Sequence, residues 1–145
     1  MSKVHLLRVA HPVVEFERLI AAARHQGERV GWLELPAVGS ESEPLEPLPA
    51  SLQAAASQGV MRAVAISGGR SVAVKPMAGP PVLQDVLREH FRGCRLVLVQ
   101  GAIDEPLVEP SGDAWRITVR RQAGAEPTLW TTDRLVAALA KPHPW

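Results

Sequence analysis

Leu96–Val99, read LVLV between Arg95 and Gln100, is the stretch that decides the fold. A strand with one wet face alternates apolar and polar residues. Four consecutive aliphatic residues are apolar on both faces, so this strand must be covered on both sides, and it predicts a central position in a sheet. Working back from it, Gly93 suits a helix end and Pro80–Phe91 reads as a helix. Val82, Leu83, Val86, Leu87 and Phe91 form the apolar stripe of that helix.

Working forward, the character changes beyond Gly101. Leu107–Glu109 and Ala114–Arg121 flank Pro110-Ser111-Gly112-Asp113, which predicts a hairpin. Trp115, Ile117 and Val119 take one face of its second strand, and Arg116, Thr118 and Arg120 take the other. A turn at Ala123–Glu126 leads to a strand at Thr128–Trp130. Thr131 or Thr132 then caps a last helix through Leu139, closed by Lys141-Pro142.

The N-terminal half reads as strand Lys3–Val9, helix Pro12–Gln26 and strand Arg29–Leu35, a βαβ-like unit. Val13, Phe16, Leu19, Ile20 and Ala23 recur at helical spacing, and Gly27 caps the helix. Residues 36–49 hold four prolines and three glutamates, which predicts a loop. A short Ala-rich helix, Ser51–Gln58, precedes two strands, Val60–Ile66 and Ser71–Pro76. Gly68-Gly69 between those strands is a two-residue hairpin signal. The whole predicts one α+β domain over residues 1–145, with a mixed sheet of about seven strands, three main helices and one short one.

Several chemistries can be tested on residues 65–81. Ser67 lies in an apparent nucleophile turn, but such an elbow needs a helix after the serine, and the alternation of Arg70–Lys75 predicts a strand. Val72–Lys75 (VAVK) copies the lysine strand of protein kinases, with Glu89 on the following helix. The Gly-rich loop, the H-R-D and D-F-G motifs and the length for a catalytic lobe are missing. A restriction-endonuclease layout needs an acid two residues before the lysine, where Ala73 stands. No phosphate-binding glycine motif occurs, and Pro80 and Pro81 remove amides from the helix start that follows Ala78-Gly79. The five histidines show no ligand spacing, and Cys94 is the sole cysteine, so neither a cysteine zinc cluster nor an internal disulfide is available. No catalytic residue, metal site or cofactor is assigned.

Net charge is +1, so no global field selects a nucleic acid or membrane partner. With neither a leader-like N-terminus nor an apolar run of spanning length, a cytoplasmic protein without a membrane partner is expected. Charge is nevertheless segregated. No acid occurs from Leu48 through Gln84, a stretch that holds Arg62, Arg70 and Lys75.

A tight turn at Gly68-Gly69 sets Arg62 opposite Lys75, a like-charge pair that needs solvent, an acid or an anionic ligand for relief. Arg116, Arg120 and Arg121 repeat the basic pattern. These six residues form the candidate nucleic-acid or anion-binding set. The tail Ala140–Trp145 offers Pro144 and Trp145 as a candidate protein anchor; the alternative is that the ring folds back on its own domain. The expected function is a non-catalytic binding or assembly module, part of a nucleoprotein or multi-subunit complex. The alternative is a small enzyme whose loop-borne catalytic residues leave no linear motif.

Overall fold

The computed structural model describes residues 4–36, 49–77, 79–119 and 126–145. Most of the expected 36–49 loop therefore lies outside the described residues, as do Arg120, Arg121 and most of the expected Ala123–Glu126 turn.

In chain order the elements are β1 (His5–Val9), a 3-10 turn (Val13–Phe16) running into α1 (Glu17–His25), β2 (Val30–Glu34) and α2 (Ala50–Ser57). The hairpin β3 (Ala63–Ser67) and β4 (Arg70–Val74) follows, then α3 (Leu83–His90) and β5 (Leu96–Gln100). The hairpin β6 (Leu107–Ser111) and β7 (Ala114–Thr118), β8 (Thr128–Thr131) and α4 (Thr132–Ala138) complete the chain. The fold class is α+β, as expected, but the eight strands among the described residues divide between two sheets. Six form a mixed sheet in the order β2-β5-β1-β6-β7-β8, and β3 and β4 form a separate pair.

The LVLV run explains the centre of the main sheet. β5 lies between β2 and β1, parallel to both. Leu96 and Leu98 pack with Leu7, Val9, Phe16 and Leu19 on one face, toward α1 and α4. Val97 and Val99 pack with Leu87 of α3 on the other. All four are fully buried, and each contributes about 1.5–3 kcal/mol of hydrophobic stabilisation. The expected βαβ unit thus exists with a change. Its two strands are parallel, but β5 inserts between them. The fully apolar strand takes the position covered on both faces, leaving β2, with Gly31 and Glu34, to the edge.

The antiparallel half is built on Trp115 and Ile117, buried as the alternation predicted; Val119 is exposed. The Trp115 ring stacks on Phe16 at 5.6 Å, and its Nε1 donates to Thr132 Oγ1 at 2.8 Å. Thr131 caps α4, its side chain accepting from the Arg134 amide.

Three sequence expectations need adjustment. Pro110 lies inside β6 opposite Trp115, and the turn narrows to Gly112-Asp113. β1 ends at Val9 and meets β6 only near Leu107, so the amide that Pro110 lacks has no strand waiting for it. Val13 is exposed, like Val14, because it lies in the opening 3-10 turn, which reaches the core only at its last residue, Phe16. Val82 is exposed because it is the extended N-cap of α3, which starts two residues after Pro81.

Candidate functional site

The β3–β4 hairpin concentrates the unusual surface. Gly68 and Gly69 have φ values of 58° and 74°, the left-handed pair required at both centres of a type I′ turn. Ser67 pairs with Arg70, and the register runs to Ala63 and Val74. In a two-residue hairpin the pair flanking the turn is hydrogen-bonded and pairs then alternate. The backbone groups of Val64 and Ile66 therefore point outward from β3, and those of Ser71 and Ala73 point outward from β4. Among the described residues no third strand joins either edge.

The hairpin's two faces differ. Ala63, Ala65 and Val74 are half-buried, on the face shared with Val72, and α2 packs beside β3. Val64, Ile66, Ser71 and Ala73 lie on the opposite face and are exposed, Val64 at 52% and Ile66 at 79%. Met61 and Met77, just outside the strands, are exposed as well.

Arg62 and Lys75 fall one position beyond the Ala63–Val74 pair that ends the ladder and continue its register, on the same face as Val64 and Ile66. Glu89 of α3 reaches both. Lys75 Nζ donates a short hydrogen bond to Glu89 Oε1, and the Arg62 guanidinium stands 3.9 Å from the same oxygen. The Glu89 carboxyl is held below its ordinary value of 4.5, first by the Lys75 hydrogen bond, against a smaller opposing effect of desolvation, and further by the charges of Lys75, His90 and Arg62. The like-charge opposition at Arg62 and Lys75 is thus relieved by an acid of the chain itself. The kinase-like lysine–glutamate pair forms without the remaining parts of that chemistry.

Arg70 is exposed at the turn. Arg116 belongs to the other sheet, exposed on β7 directly opposite Glu109. Among the described residues the basic candidates are therefore divided between the β3–β4 hairpin with its flanks and the main sheet, with an acid facing Arg62, Lys75 and Arg116. Ser67 is a hairpin residue followed by a strand, with no helix to complete an elbow. No group of histidine, cysteine and acidic residues among the described residues could hold a metal.

Trp145 takes the folded-back arrangement. Its ring meets His5 at 5.7 Å and Trp130 at 6.3 Å, both edge to face, and Pro144 is half-buried. His5 Nε2 donates to the Leu139 carbonyl at 3.0 Å, fixing the platform beneath the tail. The tail borders a cleft of about 500 Å³ with Leu6, Leu87, Asp104 and Pro106. The exposed Val64 and Ile66 were missed by the sequence reading. Their signal was present: β3 alternates alanine with larger aliphatics and carries no polar face.

No protein-family model matches the chain, and no curated protein matches it.

Proposed function

We propose that the protein is a non-catalytic assembly module that docks a protein partner through the β3–β4 hairpin. One observation carries the reading: a two-stranded sheet with no third strand on either edge among the described residues, presenting Val64 and Ile66 to solvent. Isolated hairpins are marginal in water, and open apolar edges are normally blunted by charge, proline or cover. β3 has neither charge nor proline. Arg62, Lys75 and Arg70 frame the surface and add an electrostatic rim.

Native mass spectrometry of the protein purified from its own cells tests this, comparing wild type with Ile66→Lys. The expected result is a heteromeric species in the wild type that drops at least tenfold in the variant. A bare monomer in both, or an adduct of nucleic acid in place of protein, would overturn the reading.

A further inference from the structure

The two edges of the β3–β4 hairpin are not equivalent. β3 carries α2 beside it, whereas β4 packs extensively on no element but β3 among the described residues. Arg70, Ser71, Val72 and Ala73 are all exposed. The ladder runs without a bulge from Ser67–Arg70 to Ala63–Val74. Ser71–Val74 (SVAV) holds no charge and no proline, the devices that usually close such an edge.

The turn fixes which groups of β4 face outward. With Gly68-Gly69 at its centre, Arg70, Val72 and Val74 direct amide and carbonyl toward β3, and Ser71 and Ala73 direct theirs away. The open edge is thus two donor–acceptor pairs about 6.8 Å apart. An extended chain has the same repeat in its main chain; a helix, which pairs its own amides and carbonyls, does not. The side chains fit the same occupant. Ser71 and Ala73 are small, and the residues directly opposite them on β3, Ile66 and Val64, stand exposed at 79% and 52%. Large side chains on a third strand would fill the step above Ser71 and Ala73 and pack against Ile66 and Val64. Charge narrows the partner further. Arg62 and Lys75, at the far end of the hairpin, are met by Glu89. Arg70, beside the turn, pairs with no carboxylate among the described residues.

We propose that β4 accepts an extended segment of a partner protein as a third strand, apolar at every second residue and acidic at the end nearest Gly68-Gly69. The proposal rests on the docking function of the hairpin and specifies its mode. Native mass spectrometry of the heteromer, comparing Ala73→Pro with Ala73→Ser, tests it. Proline removes the outward amide and no hydrogen bond of the hairpin; serine keeps that amide. Ala73→Pro and Arg70→Glu are each expected to lower the heteromer at least tenfold, and Ala73→Ser to leave it at the wild-type level. Hydrogen exchange of the wild-type protein needs no variant to fold: the Ser71 and Ala73 amides should exchange at least tenfold more slowly in the complex than in the free protein. A heteromer lost in Ile66→Lys but kept in Ala73→Pro or Arg70→Glu overturns strand addition and leaves the docking function standing. Equal losses in Ala73→Pro and Ala73→Ser, or unslowed exchange at Ser71 and Ala73, overturn it as well. Absence of any heteromer in the wild type overturns both.

Discussion

Glu89 shows how one carboxylate reorganises the meaning of a surface. Its charge is stabilised by Lys75 and Arg62 in the folded state, so its folded titration lies below the unfolded one. A depressed carboxylate contributes stability above its unfolded value, and that contribution disappears as pH falls through the folded value. The group is exposed, so the effect is modest and screened by salt. A carbon-detected NMR titration should place the Glu89 midpoint below 4.5 in wild type and move it upward in Lys75→Met, where the largest cause of the lowering is gone and the charges of His90 and Arg62 remain. The stability difference between wild type and Glu89→Gln should shrink as the solution is acidified below pH 4. An unshifted Glu89 midpoint in wild type refutes the pairing. Glu89 lies on the expected helix, whereas Lys75 falls one residue past β4 rather than inside a strand reaching Pro76. The kinase-like likeness sets the two residues on neighbouring elements, but nothing local dictates how the hairpin leans on α3 to bring them into contact. The turn itself was legible, since only glycine adopts two successive left-handed conformations at little cost.

At the level of elements, the strands and helices were legible where periodicity or breakers were strong, and illegible where a distant contact decides. Gly31 is the clearest case. Nothing in RVGWLEL marks it, yet a Cβ there would stand 2.4 Å from Phe91 Cδ1. The glycine lets the ring at the end of α3 lie against the backbone of β2, an approach set by residues sixty positions apart. Gly31→Ala is therefore expected to destabilise by about 1–3 kcal/mol in urea unfolding, through overpacking. In a Phe91→Ala background the same substitution should cost little, because the colliding ring is absent. Equal costs in both backgrounds would reject the collision as the cause. Pro110 teaches the complementary lesson. A proline after Glu109 predicts a strand end, but Pro110 lies within β6 because β1 stops short of it.

Across the whole molecule, strand order is the feature that sequence could not supply. The LVLV run demanded cover on both faces, and placing β5 between β1 and β2 provides it. No pattern in β1 or β2 says that a strand some sixty residues downstream will separate them. The same long-range closure governs Trp145, whose two readings were balanced in sequence and whose ring sits on Trp130 and His5. That platform is held from far away by His5, bonded to Leu139, and locally by Arg134, stacked 4.3 Å above Trp130. The tail is consequently a clasp between the first strand and the last one. Trp145→Ala should lower stability by about 1–3 kcal/mol, less than for a fully buried tryptophan because the ring is half-buried. The heteromeric species disrupted by Ile66→Lys should persist in this variant. Denaturant unfolding followed by circular dichroism measures the first outcome, and native mass spectrometry the second. If Trp145→Ala leaves stability unchanged and removes the partner, the ring is an anchor for another protein rather than for its own fold.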